Sequence, residues 1–217
     1  MESSIGKKVL MALSGFFLMF FLLQHLVINL MSVFSPEAFN ATSHFMGYNP
    51  LVQYLLQPIL IFGIIFHLVM GVKLELENKK ARTVKYANNN PNANSTWMSR
   101  NMVVTGLMIL FFILAHMSDF WLHEMIYKYV DIKPEDPTRY WGELRHEMGE
   151  ILHLVIYLLA FVFLALHLLH AFQSAFQSVG FNHNKYTPTI KILGKAYAIL
   201  VPAGFAFIAL YHFITQH

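Results

Sequence analysis

The sequence predicts an all-α membrane protein with five transmembrane helices, four of them forming a bundle and the fifth packed alongside, and with the N-terminus in the cytoplasm. Three observations carry this. The 217 residues are 56% hydrophobic and only 12% charged, with a mean hydropathy of +0.49; a soluble domain carries about twice that charge. The apolar residues fall into runs of roughly 20 or more, long enough to cross ~30 Å of hydrocarbon as helices. Four of the runs also carry a histidine deep inside.

The runs place spans at about 9–33, 51–75, 101–123, 150–177 and 190–214 in one domain, 1–217, with little chain left for a soluble unit. Lys7 and Lys8 precede the first run as in a signal peptide. That run is too long for an h-region and has no A-x-A-like cleavage site, so it reads as the first span. Basic residues set the orientation. Of the 15 Lys and Arg, only Lys128, Lys133, Arg139 and Arg145 fall in the outer segments when the N-terminus is inside; the rest, from Lys7 through Lys79, Lys80, Arg82, Lys85 and Arg100 to Lys195, fall inside.

The connections follow from composition. The first outer loop, SPEAFNATSHFMGYNP, has no Lys or Arg, and Pro36 and Pro50 suit its ends. The first inner loop, about 76–100, is basic and then Asn-rich (ANNNPNANS) and reads as a turn. The second outer segment, about 124–149, mixes acids and bases, and Pro134 and Pro137 break any helix there. The last inner loop, NHNKYTP, is short, and no internal repeat is clear. The chain has no cysteine, which excludes iron–sulfur ligation, disulfides and thioether attachment of haem within it. The expected surroundings are lipid, not nucleic acid.

The buried histidines are His25 in FFLMFFLLQHLVINL, His67 in ILIFGIIFHLVMG, His116 in TGLMILFFILAHMS and His167 in LAFVFLALHLLHAF. An ionisable group inside a span is expensive and is a functional hypothesis by default. His25 lies 17 residues beyond Lys8, and His116 lies 16 beyond Arg100. Both therefore stand ~25 Å up from the inner edge. His67 is 6 residues before Lys73 on an inward-running span, and His167 is near the inner end of its own. The four sort into an outer layer (His25, His116) and an inner layer (His67, His167), ~15 Å apart.

Neutral imidazole binds iron, zinc and copper. A tetrahedral zinc site wants its ligands at one depth, often with carboxylate or thiolate, whereas two layers of two suit two b-type haems, each between two imidazoles. Filling both axial positions points to electron transfer rather than oxygen chemistry. Gly15 and Gly106 stand ten residues before His25 and His116, at the depth of the inner layer, where a missing side chain makes room for a porphyrin edge. Gly63 and Gly71 flank His67 at i−4 and i+4 and clear its face, although close helix packing by small residues is the plainer reading of any one of these glycines.

His170, three residues past His167, is the rival fourth ligand or a partner for a propionate. His153, near the outer end of span four, is a haem-propionate or quinone contact or a packing residue. Asp119, Arg145 and Glu150 lie near the outer layer, where quinone oxygens want donors and proton transfer wants carboxylates; ordinary helix-end charge is their plainer reading. His123, His146 and His212 read as interfacial, and His44, His183 and His217 as solvated, with His44 also a minor site candidate.

At these residues the chain resembles the di-haem cytochrome b membrane anchor of succinate dehydrogenase and quinol:fumarate reductase, in its single-subunit, five-helix form. The matching features are the SGFFLMFFLLQH start, H-L-V-M-G at His67 to Gly71, T-G-L-x7-A-H from Thr105 to His116, and F-x3-H-L-x5-S-x-F through Phe163, His167, Ser174 and Phe176. The resemblance implies a flavoprotein and an iron–sulfur subunit docked on the cytoplasmic face of a bacterial inner membrane. It implies a proximal haem on His67 and His167, a distal haem on His25 and His116, and a menaquinone reacting near the distal haem. It also implies that no residue here handles succinate or fumarate. Relatives commonly have Asn or a small residue where His170 stands, which favours His167.

Two positions depart from the family. Relatives often carry a carboxylate late in the first outer loop, where this chain has Gly47 and Asn49; some have a glutamate two residues before the span-four ligand, where this chain has Ala165. Two other readings stand beside this one: the di-haem anchor of a hydrogenase or formate dehydrogenase, and a histidine-dependent proton-coupled transporter, which predicts no haem.

Overall fold

The computed structural model of the protein describes residues 3–81 and 97–217; Arg82, Lys85 and the ANNNPNANS run lie outside the described residues. Five helices are long and apolar enough to cross a membrane: α1 (Ser4–Phe34), α3 (Val52–Lys80), α4 (Met102–Val130), α6 (Ile151–Ser178) and α7 (Thr187–Ile214). Two shorter helices, α2 (Pro36–Tyr48) and α5 (Tyr140–Gly149), lie in the α1–α3 and α4–α6 connections. No strand occurs among the described residues.

Each predicted span is present, and the differences lie at the ends. The loop after span one folds as α2 because Ser35 caps it: the Ala38 amide donates to Ser35 Oγ at 3.1 Å, with Pro36 in the first turn. Asn49 then starts α3 by accepting from the Leu51 and Val52 amides at 3.0 and 3.3 Å. α4 runs on to Val130, past the expected end near 123. Widened i→i+5 turns at Met117–Leu122 and Ile126–Val130 carry it through Asp119, His123, Glu124 and Lys128. It stops before Pro134 and Pro137, as expected.

α6 is the hub of the packing, lying against α7, α4 and α1, while α1 also packs on α3 and α7; α3 and α4 touch only slightly. Towards the α2/α5 end, Leu26, Met148, Phe161 and Phe205 form one buried cluster. Towards the other end, Ala12, Met19, Leu168 and Ala198 form a second. Large apolar side chains cover the outward faces, with Phe20, Phe62, Phe111 and Leu200 each 66% or more exposed. A helix that is apolar on both its packed and its outward face suits a lipid surround.

Gly63 and Gly71 serve the α1–α3 contact instead of clearing the face of His67. A Cβ at Gly63 would stand 2.6 Å from the Phe17 ring, and one at Gly71 would stand 3.4 Å from Met11 Cε. These notches let the two backbones approach. Lys7 Nζ, 2.7 Å from Glu77 Oε1, ties the start of α1 to the end of α3. Replacing Gly63 by alanine is expected to destabilise the chain by about 1–3 kcal/mol through overpacking, read as a lower thermal midpoint in detergent. A second change, Phe17→Leu, should recover part of the loss.

Candidate cofactor sites in the bundle core

The four span histidines meet in two pairs. His67 on α3 faces His167 on α6, with ring centroids 6.5 Å apart and planes at 65°. His25 on α1 faces His116 on α4 at 5.7 Å and 82°. The helices that supply the second pair also flank the first. A Cβ at Gly15 would lie 3.7 Å from His67 Cε1, and one at Gly106 would lie 3.6 Å from His167 Cε1. Each glycine is ten residues before the histidine of its own helix, so the pairs stand ~15 Å apart along the bundle.

Every ring has a polar neighbour. Ser14 Oγ lies 2.9 Å from His67 Nδ1, and Thr105 Oγ1 lies 3.1 Å from His167 Nδ1. His116 Nδ1 is 3.2 Å from Tyr157 Oη, which donates to Asp119 Oδ2 at 3.0 Å. His25 has only Asn29 Nδ2, at 3.4 and 3.5 Å from its two ring nitrogens, and is otherwise packed by Phe21 and Phe205. Ser14 and Thr105 stand within the sequence motifs with no task that the sequence assigns them, and Tyr157 lies outside those motifs. The available signal was a hydroxyl residue directly before Gly15 and Gly106.

Two metal–imidazole bonds of ~2 Å each put two ring centroids roughly 6 Å apart, and the two pairs bracket that spacing. Among the described residues, no carboxylate or thiolate joins the inner pair in a metal-ligating cluster, which suits two axial imidazoles better than a tetrahedral zinc set. The donors therefore fit a b haem in each layer.

The ring that faces His67 belongs to His167; His170 stands one turn on and half-buried, outside the pair. His153 joins a polar cluster beyond the outer pair. Its Nδ1 is 3.2 Å from Glu147 Oε2, and Asp119, Glu147 and His153 offer ligand atoms within 4.8 Å of one another. Asp119 and Glu147, with Phe120, His123 and His146, line a cavity of about 350 Å³. Arg145 lies elsewhere: its guanidinium stacks over Trp141 at 4.8 Å and donates to the Thr215 carbonyl at 3.0 Å, which caps the end of α7.

Two other histidines depart from expectation. His212 is fully buried rather than interfacial, with Nε2 2.8 Å from Ser32 Oγ and its ring against Trp141, because α5 closes over the end of α7. His44 is not free in solvent; it packs between Tyr48 and Tyr140.

Near Gly47, the carboxylate comes from α4. A Cβ at Gly47 would lie 3.0 Å from Glu124 Oε1. Glu124 pairs with Lys128 at 2.5 Å and with Arg139, which also reaches Glu143 at 2.6 Å. Burial opposes the Arg139 charge, but its hydrogen bonds to Glu124 and Glu143 outweigh this and hold the proton above the ordinary guanidinium range. Burial, reinforced by Glu124, likewise pushes the Tyr140 hydroxyl up.

Comparison with known proteins finds one relevant similarity: the chain is 36% identical over 98 residues to the succinate dehydrogenase cytochrome b558 subunit of Bacillus subtilis (strain 168). That stretch is 44% of this chain and 45% of the relative, so the chain matches less than half the length of that curated protein. No family model matches, and no solved structure matches. The similarity bears out the resemblance to a cytochrome b anchor of succinate dehydrogenase.

Arg139→Met is expected to lower stability by ~2 kcal/mol through lost hydrogen bonds to charged groups. A chemical or thermal melt of the detergent-solubilised chain measures this, and Glu124→Gln in the same chain should recover part of the loss.

Proposed function

We propose that the chain is the di-haem b membrane anchor of a succinate:quinone oxidoreductase, with its N-terminus on the cytoplasmic side of a bacterial inner membrane. The observation that carries this is the meeting of four histidines from four spans as two stacked pairs at a spacing suited to bis-imidazole ligation. The similarity to the Bacillus subtilis subunit supports the choice of complex. On this reading a flavoprotein and an iron–sulfur subunit dock at the cytoplasmic end, and dicarboxylate chemistry stays with the flavoprotein.

His67 and His167 would hold the proximal haem, and His25 and His116 the distal one. A b haem between two imidazoles supplies one-electron transfer and has no open coordination position. The protein's own part is to hold the rings at fixed spacing and to keep water away with Phe21, Phe112, Phe120 and Phe205.

The cavity beside Asp119 is the natural place for a menaquinone headgroup, since it adjoins the outer pair and carries proton-exchanging groups. Quinone reduction takes up protons. Asp119, joined to Tyr157 through Oδ2, and the Glu147–His153 pair can hold them at the cavity wall.

The experiment is a reduced-minus-oxidised spectrum of the purified chain or complex, with haem counted as pyridine haemochromogen. Two b haems per chain are expected, falling to one on replacing any of His25, His67, His116 or His167, and staying at two for His170→Ala. A folded chain without haem overturns the reading and favours a transporter; two haems with a hydrogenase or formate dehydrogenase co-purifying replaces only the partner. In the assembled complex, Asp119→Asn is expected to keep both haems while slowing quinone turnover by roughly 10²–10⁴-fold.

A further inference from the structure

We infer that Ser14 and Thr105 are positioning residues that fix the inner histidines in the Nδ1–H form and so present Nε2 of both His67 and His167 to the metal. The inference rests on the proposed haem function for its metal, but its geometry stands in this chain alone.

A hydroxyl has one hydrogen to give. Ser14 gives its own to the Met11 carbonyl at 2.8 Å. Thr105 shares its own between the carbonyls of Met102 at 3.0 Å and Asn101 at 3.2 Å. Each oxygen therefore has only lone pairs left for the imidazole, 2.9 Å away at His67 and 3.1 Å away at His167. Those contacts are favourable only when Nδ1 carries the proton and donates it. The Nε2 lone pair is then free to ligate, and the hydrogen bond at Nδ1 sets the ring orientation and raises ligand basicity.

The device occurs twice with the same spacing. Ser14-Gly15 precedes His25 and Thr105-Gly106 precedes His116 by the same interval. From hydroxyl to histidine is 11 residues in each case, about three turns, so both side chains lie on one helix face. One stripe on α1 thus offers a hydroxyl and a glycine notch to His67 and then supplies the outer ligand His25. One stripe on α4 does the same for His167 and then supplies His116. The hydroxyl always comes from the helix that carries an outer ligand. Back-bonding of Ser or Thr to a preceding carbonyl is common in helices, but by itself it gives no reason for both oxygens to meet an imidazole nitrogen at the same depth.

The test uses Ser14→Ala and Thr105→Val, singly and together, in the full chain within its complex. The expected result is a higher midpoint potential for the inner haem alone, since the lost acceptor withdraws electron donation from the ferric state. Haem affinity in the double variant should also fall roughly 10–100-fold. Ser14→Thr and Thr105→Ser, which keep the hydroxyl, should titrate as the parent does; a purely packing role would not divide the variants in this way. Nitrogen NMR of histidine-labelled chain reads the tautomer directly, with Nδ1–H expected at His67 and His167. Unchanged potential and haem retention in the double variant, or Nε2–H at those rings, overturns the inference. A parent chain that binds no haem overturns the electron-transfer reading instead, and the nitrogen spectra then decide the tautomers alone. If the double variant fails to fold, the two single variants carry the redox test.

Discussion

An imidazole inside a hydrocarbon slab must find a partner for its N–H, because an unpaired polar group there costs several kcal/mol. That constraint organises the bundle. His67 and His167 are satisfied by hydroxyls of neighbouring helices, and His116 by the Tyr157 phenol. Each partner lies on a different helix from the ring it serves, so the helices take one relative rotation and one relative height. Sliding α1 by a turn would separate Ser14 from His67 and His25 from His116 together.

The same stripes explain the division of labour between helices. α1 and α4 each touch both layers and act as rulers, while α3 and α6 each contribute one ring to the inner layer. α6 adds Tyr157 to the outer layer, which links His116 to Asp119 and so to the cavity wall. A ring held at one nitrogen and free at the other is what a metal ligand needs. The apolar rings around the outer pair limit the ways it could relax.

The end of the bundle carrying α2 and α5 is closed by polar contacts rather than by length of apolar chain. Glu124, Lys128 and Arg139 join α4 to the segment before α5 and to the Gly47 carbonyl of α2. Trp141 donates to the Ser32 carbonyl and covers His212. Arg139 carries this network to the cavity that the proposed quinone chemistry would use, whose wall it shares with Asp119, Glu143 and Glu147.

The sequence by itself determined the five spans, the order of the two histidine layers and the pairing within them. Hydropathy and helical rise are one-dimensional quantities, and depth along a span can be counted from Lys8, Lys73 and Arg100. It also distinguished Gly15 and Gly106 by depth. The tertiary structure decided everything that depends on rotation about the helix axes and on contacts between distant residues. Ser14 meets His67 across 53 residues of chain and Thr105 meets His167 across 62; the repeated hydroxyl–glycine pair marks the two positions but does not name the ring each one meets. Rotation also sends Gly63 to Phe17 rather than to a cofactor face. The helices α2 and α5 bury His212 and pack His44 between two tyrosines where composition suggested interface or solvent, because their amphipathic faces acquire meaning only once the ends of α1 and α7 stand beside them.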